Sequence, residues 1–529
     1  MDRHFIQVVL PLKLQWIPFY YCEEQVHRGQ IVSVVFAGRR YNGIVYNTSC
    51  TPDLNPASVK QISSVRKALP TIGDMELRLW EFIADYYACT IGEVFKAAYP
   101  TGKLNGEIAA AAREERLRKR LEAIDADLTK RHRESVMLRL RQERDRISAS
   151  LPAFGPIRNT GPKNDDTLTY KPILVTGPDR YNYYHTVLQE CSDNGHQALL
   201  LSPETALCEQ VANIAGIRTV VHHGKTDAFI PGISAALRRG EPISVAGTRM
   251  SIFLPFSSLG AIIVDEEQDQ SFKQTEPAPR YNARDCAVFL GTIHHCQVIL
   301  GSSRPSLESI YNCKTGKYNI KGELSSRFSP HTEFIDIQAE KKKNGMPGYL
   351  SRKLLERISH SKGRICLVRG WEKQEELSSQ IRQFLPDREV NVLTLSELKR
   401  NGNGDACLTA VIQIDALADK DDFRYDERMQ QIVAMLESTC CRNGGNLVIQ
   451  TALMDIFSED RNYETMLKER REFGFPPFTR MVDIRTADGK LASRHFIRRD
   501  QPLSETKASI KASIKASLPP FCYLDVDPQ

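Results

Sequence analysis

The chain opens with short stretches dense in β-branched and aromatic residues: Ile6 to Leu12, Gln30 to Phe36 and Asn42 to Tyr46, with turn signals at Gly29 and Gly38. That alternation predicts a small β-barrel or β-sandwich. From Glu76 to Ala88 the period lengthens, and Leu77, Leu79, Phe82, Ile83 and Tyr87 fall near one face of a helix. Tyr99-Pro100-Thr101-Gly102 closes this unit, so residues 1–103 are expected to form one β-rich domain.

Between Gly106 and Leu151 there is neither proline nor glycine, and Glu114/Arg118 and Glu115/Lys119 have the spacing of helix-supporting pairs. The stretch reads as an arginine-rich helix, a rod of roughly 60 Å or a hairpin. Its arginines suit a solvated helix face, with phosphate contacts as the alternative. With the proline- and glycine-bearing linker that follows, it occupies residues 104–168.

Apolar strands then alternate with helical stretches: Ile173 to Thr176, Ala198 to Ser202, Thr219 to His222, Ile243 to Gly247, Ala261 to Asp265 and Val298 to Gly301. Such alternation predicts a parallel, doubly wound α/β sheet over residues 169–315. A second, shorter α/β unit is expected over 316–460 and a small α+β unit over 461–529. The whole reads as a multidomain α/β chain.

Composition narrows the partners only slightly. At 529 residues, 41% hydrophobic and 26% charged, the chain has ordinary globular proportions, and no apolar run nears the roughly 18 to 20 residues of a membrane span. A cytoplasmic chain without membrane contact is the expectation. Seventy-one basic against 65 acidic residues give +6, too little over this length to point to nucleic acid by itself. The 13 cysteines include no C-x-x-C pair, which argues against a structural zinc site.

Candidate chemistry begins where Ala261-Ile262-Ile263-Val264 runs into Asp265-Glu266-Glu267-Gln268. Carboxylates at the carboxyl end of a buried parallel strand sit where α/β sheets bind ligands, and in nucleotide hydrolases such a pair holds Mg²⁺ and orients water. Around this strand lie His222-His223-Gly224-Lys225, Ala246-Gly247-Thr248-Arg249, Ser271-Phe272-Lys273-Gln274, Arg280-Tyr281-Asn282-Ala283-Arg284-Asp285 and Leu300-Gly301-Ser302-Ser303-Arg304-Pro305. In this order the blocks resemble the first motor lobe of the primosomal replication restart (PriA) helicase family. Asp422-Phe423-Arg424 with Glu427-Arg428 resembles the second lobe, and Glu469 through Phe478 with Asp525-Val526-Asp527-Pro528 resembles the carboxy-terminal domain. The resemblance implies two RecA-like helicase lobes, the second truncated.

Departures from the family pattern bear on mechanism. A working P-loop reads G-x-x-x-x-G-K-[ST], since glycine amides cradle phosphates, lysine neutralises them and the hydroxyl ligates Mg²⁺. The equivalent turn here is Leu174-Val175-Thr176-Gly177-Pro178-Asp179-Arg180-Tyr181. Both defining glycines are gone, Asp179 adds repulsive charge, Tyr181 replaces the small hydroxyl, and Arg180 is bulkier than lysine. Thr176, Gly177 and Arg180 remain as the degenerate cofactor-binding set, with Asp265 and Glu266 as vestigial catalytic carboxylates. ATP and Mg²⁺ are therefore not expected as cofactors unless this degenerate loop still binds them. The resemblance implies a charge-stabilising arginine in lobe two, for which only Arg442 is placed to serve. It also implies a cysteine-rich zinc insertion, in whose place Gly370-Trp371-Glu372 passes directly into an ordinary helix, and a threonine where Arg304 stands.

The same resemblance implies a pocket for a 3′-terminal nucleotide in the amino-terminal domain. Phe19, Tyr21, Gly38, Arg39, Arg40 and Lys60 occupy the matching positions, with Tyr20 where the family tends to have a small polar residue. Aromatics stack on bases and cations contact phosphates; the competing reading is that the rings fill a barrel core. Near the end, Lys507-Ala508-Ser509-Ile510 repeats with a four-residue period, giving one lysine face and one apolar face. That helix would touch nucleic acid or pack on a small sheet. The expected function is a replication restart protein that binds forked or single-stranded DNA, together with primosome proteins, without motor activity. An ATP-dependent 3′ to 5′ helicase and a protein-interaction remnant without DNA affinity are the alternatives.

Overall fold

The computed structural model describes residues 4–100 apart from 49, 53 and 54, and residues 170–499 apart from 178, 205–207, 209–210, 212–218, 223–230, 326, 344 and 441–443. It also describes residues 116, 119, 120, 509 and 522–528. The arginine-rich stretch and the lysine repeat lie almost wholly outside the described residues, as do Arg442 and His223-Gly224-Lys225.

A curled six-stranded sheet opens the chain. Strands β1 (His4–Val9), β2 (Phe19–Cys22), β3 (Ile31–Phe36), β4 (Arg39–Thr48), β5 (Lys60–Gln61) and β6 (Ser64–Val65) lie in the order β5-β2-β1-β4-β3-β6. The first strand stops at Val9, short of the expected Leu12, because Pro11 has no amide for the ladder. Ile6, Val8, Tyr20, Val32, Val34 and Val45 pack inside the curl. On the opposite face Val9, Ile31 and Ile44 meet helices α1 (Asp74–Tyr86) and α2 (Ile91–Ala98). Thr90 and Glu93 cap α2 reciprocally, satisfying two of the amides that a helix start leaves free. Trp80 of α1 stacks on Phe95 of α2 with ring centroids 5.8 Å apart.

Seven parallel strands form the next layer: β7 (Ile173–Thr176), β8 (Gln197–Leu201), β9 (Thr219–His222), β10 (Ser244–Gly247), β11 (Leu259–Asp265), β12 (Gln297–Ser302) and β13 (Asn319–Lys321). Their order is β13-β7-β12-β11-β8-β10-β9, with α3 (Arg180–Asp193), α4 (Pro231–Arg238), α5 (Ala283–His294) and α6 (Leu307–Lys314) as the helices. Ala261 to Val264 are wholly buried, which is why this strand reads as an unbroken apolar run.

A second parallel sheet, in the order β14-β18-β17-β15-β16, contains β14 (Thr332–Asp336), β15 (Ile365–Arg369), β16 (Val390–Thr394), β17 (Leu408–Val411) and β18 (Asn446–Thr451). Helices α7 (Ile337–Lys343), α8 (Arg352–His360), α9 (Gln374–Phe384), α10 (Leu395–Asn401) and α11 (Tyr425–Cys440) surround it, and α12 (Tyr463–Glu472) leads out. The last sheet is antiparallel, β20-β19-β21, from β19 (Thr479–Arg485), β20 (Leu491–Arg498) and β21 (Tyr523–Val526).

The cores are unevenly shared. One apolar cluster runs from Trp80 and Phe95 through Leu290 and Ile262 to Val482 and Val526, so the amino-terminal unit, the first lobe and the last sheet are a single packed body. Phe82 of α1 reinforces it by stacking on Phe289 of α5 at 4.0 Å. The second lobe has its own cores, around Val368, Val433 and Ile449 on one face and Leu354, Leu367 and Leu377 on the other. Strand β21 ties the packed body together: Lys273 donates to the Val526 carbonyl at 2.6 Å and pairs with Asp525 at 2.9 Å, while Tyr86 of α1 donates to Asp527 at 2.7 Å.

Candidate nucleotide cleft and nucleic-acid interface

The turn after β7 delivers Arg180 to the first position of α3, yet its side chain folds back across the carboxyl end of the sheet. Its Nε donates to Asp265 Oδ1 at 3.0 Å, and its Nη2 pairs with Glu266. Arg180 and Asp265 are both buried. Burial alone would push the Arg180 guanidinium down, but Glu266 and Asp265 hold it well above its ordinary value. Two tyrosines of α3 complete the cage. Tyr184 donates to Asp265 Oδ1 at 2.9 Å and Tyr181 to Oδ2 at 3.4 Å. Burial and the Asp265 charge raise the Tyr184 phenol well above its usual range, so it stays a donor.

Glu266 is saturated from the other side. Its Oε2 accepts from Gln268 Nε2 at 2.6 Å and from Ser303 Oγ at 2.9 Å, and Ser302 in turn donates to Gln268 Oε1 at 2.5 Å. Every carboxylate oxygen of Asp265 and Glu266 thus accepts a protein donor. A divalent cation there would first have to displace a guanidinium. Gly301 makes the arrangement possible. A Cβ at that position would meet the Tyr184 hydroxyl at 1.4 Å. Thr176 is also engaged, donating to the Glu323 carbonyl at 2.8 Å, and Gly177 turns the chain at a φ of 93°.

Arg304, in the position of the expected threonine, bridges the lobes. Its guanidinium meets Gln430 Oε1 of α11 at 2.6 Å and lies over the rings of Phe328 and Tyr463 at 4.8 and 5.3 Å. Glu427 of α11 accepts from the Leu307 amide at 2.9 Å and pairs with Arg470 at 2.9 Å. Lys399 of α10 pairs with Asp269 at 2.9 Å, which holds the Asp269 carboxyl below its usual value against the opposing effect of burial. These polar contacts join lobes whose main apolar cores are separate, beside one small apolar cluster of Leu307 and Ile310 with Tyr463, Met466 and Leu467 of α12.

The amino-terminal residues singled out from the sequence converge on one end of the barrel. Strand register pairs Gln7 with Phe19, Val9 with Ile44, Phe36 with Arg39 and Tyr20 with Lys60. The β1–β2 loop, the β3–β4 hairpin and the start of β5 therefore lie together. Ala37 and Gly38 both have positive φ, the conformation of a two-residue hairpin turn, and present Arg39 and Arg40 to solvent. Lys60 is exposed at the start of β5, at the same end of the sheet, while Phe19 and Tyr21 are half-buried on the face opposite the core. Tyr20 points inward instead, 3% exposed, with its hydroxyl donating to the Val35 carbonyl at 3.3 Å.

Sequence reasoning missed Tyr184, Gln268 and Ser303 in the cleft and Trp16 at the barrel end. The Tyr181/Tyr184 spacing on one helix face was the available signal for the first. Among the described residues no cluster of three or more His, Cys, Asp or Glu is placed to hold a metal ion, and no helix is long and apolar enough to cross a membrane.

Comparison with known proteins bears on these surfaces. Residues 7–100 match the family model of the 3′ DNA-binding domain of PriA. The replication restart protein PriA of Rickettsia conorii is 28% identical over 347 residues, 63% of this chain and 48% of its own length. That of Haemophilus influenzae is 37% identical over 189 residues, 35% of this chain and 26% of its own. The chain thus spans about half the length of the Rickettsia relative. A structure of RecG bound to a three-way DNA junction is 12% identical, covering 88% of this chain and 73% of that one, with a TM-score of 0.38.

Proposed function

We propose that this chain, whose residues 7–100 match the 3′ DNA-binding domain of PriA, binds forked or single-stranded DNA through its amino-terminal barrel and does so without a nucleotide-driven motor. It would act as a scaffold at the fork, holding DNA and presenting its packed body to primosome proteins. The observation that carries the second half is the burial of Arg180 between Asp265 and Glu266. In a phosphoryl-transfer site these carboxylates serve a metal ion, and the lysine of the loop serves the phosphates. Here one guanidinium pairs with both acids, and the Tyr184 and Tyr181 hydroxyls take up further acceptor positions on Asp265.

Phe19, Tyr21, Arg39, Arg40 and Lys60 supply the stacking surfaces and cations that a strand end requires. The test uses the full chain and forks ending in a 3′-hydroxyl or a 3′-phosphate. Salt-dependent binding that prefers the free hydroxyl and weakens about five- to a hundredfold in Tyr21→Ala is expected. Phosphate release on the same forks should stay at background. Absence of salt-dependent binding would favour a protein-interaction role, whereas turnover near about one per second, abolished by Asp265→Ala, would restore the helicase reading.

A further inference from the structure

Trp16 is 55% exposed at the tip of the β1–β2 loop, an unusual place for the largest apolar side chain. Its ring leans on Phe36, the last residue of β3, with centroids 6.1 Å apart and planes at 56°. The loop beneath it is anchored. Leu12 donates to the Leu10 carbonyl at 2.7 Å and Leu14 to the Leu12 carbonyl at 2.9 Å. Helix α2 lies directly on that base, since a Cβ on Gly92 would come within 2.2 Å of the Leu12 oxygen and 2.4 Å of the Leu10 oxygen. An aromatic held on an anchored loop loses little further freedom when a flat ligand covers it.

Charge decides which ligand. The loop from Leu10 to Pro18 and the hairpin from Phe36 to Arg40 carry Lys13, Arg39 and Arg40, all exposed, and no carboxylate. The two acids flanking β2, Glu23 and Glu24, lie at the barrel's other end, where Glu24 pairs with Lys67. An open indole on a loop and beside a hairpin that carry cations and no carboxylate suits a base flanked by phosphates. We propose that Trp16, backed by Phe36, is a stacking platform for a base of the single strand that leads away from the terminal nucleotide. This rests on the DNA-end reading of the same barrel.

The chain contains three tryptophans, of which Trp80 is 1% and Trp371 60% exposed. In full-length protein carrying Trp371→Phe, Trp16 is therefore the sole exposed indole. Titration with short oligothymidylates ending in a 3′-hydroxyl or 3′-phosphate should quench its emission. In the same background Trp16→Ala should weaken both oligonucleotides alike by about five- to a hundredfold, leaving their ratio unchanged, and Trp16→Phe should recover part of the loss. The melting temperature should not move. If oligonucleotide binds with unaltered emission, or Trp16→Ala keeps full affinity, the platform is wrong while the DNA-end reading stands. If the unaltered chain binds neither oligonucleotide nor fork, that reading falls and the platform falls with it.

Discussion

The guanidinium of Arg304 lies 2.6 Å from Oε1 of Gln430, 126 positions later, and joins the first lobe directly to helix α11 of the second. Gln430 is held rigid on its far side, where Nε2 donates to the carbonyls of Ile456 and Arg461 at 2.8 and 2.7 Å. This bridge opposes movement of one lobe against the other.

Arg304→Ala should therefore uncouple the lobes. It strands Gln430 Oε1 without its donor, at a cost of about 1–3 kcal/mol. Because lobe two has its own cores, calorimetry of the variant should show its transition moving down and away from that of the rest of the chain. A single transition, shifted as a whole, would mean that the apolar contacts alone set the coupling.

Arg180→Ala should be among the most damaging substitutions in the chain. It leaves Asp265 and Glu266 buried side by side with no cation, which typically costs about 3–5 kcal/mol. Adding Asp265→Asn should return part of that loss, since one uncompensated charge is then gone. Chemical denaturation of the single and double variants gives the coupling; simple additivity would argue against the cage.

Acid should loosen the seam between the barrel helices and lobe one. His294 ends α5, and burial, with Arg78 of α1 and His295 beside it, pushes its imidazole down to about 4. Between the ordinary value near 6.5 and about 4, the unfolded chain binds the proton and the folded chain does not, so stability is full above pH 6.5 and falls as the pH drops. The loss should reach about 2–4 kcal/mol near pH 4. In His294→Gln, melting temperature against pH should flatten over this window.

Zinc should be substoichiometric in protein purified without a histidine tag. The C-x-x-C pairs that would hold it are missing from the sequence. One or two zinc ions per chain in elemental analysis would overturn this.

The lobes were legible because buried parallel strands are continuous apolar runs, as at Ala261 to Val264. Strand β2 was harder, since Phe19-Tyr20-Tyr21-Cys22 alternates in burial but hardly in polarity, and only the fold reveals that Tyr20 is the inward ring. The departure of the turn after β7 from a phosphate-loop pattern was visible in Leu174 and Asp179. What replaced its chemistry was not, because Tyr184 and Asp265 are 81 positions apart and meet only through the void at Gly301. Trp16 escaped notice for a similar reason: its meaning depends on Phe36 and on a loop end that sequence order does not display.

The pairing of Lys273 with β21 sets a clock on synthesis. Lys273 emerges from the ribosome 253 positions ahead of Val526, a wait of about ten to fifty seconds at ordinary elongation rates. Throughout that interval the nascent first lobe holds an ammonium meant for burial with neither the Asp525 carboxylate nor the Val526 carbonyl to receive it, and Tyr86 has no Asp527. The barrel can dock on the first lobe early through Phe82 and Phe289, but the polar contacts of Lys273 and Tyr86 close only when β21 arrives.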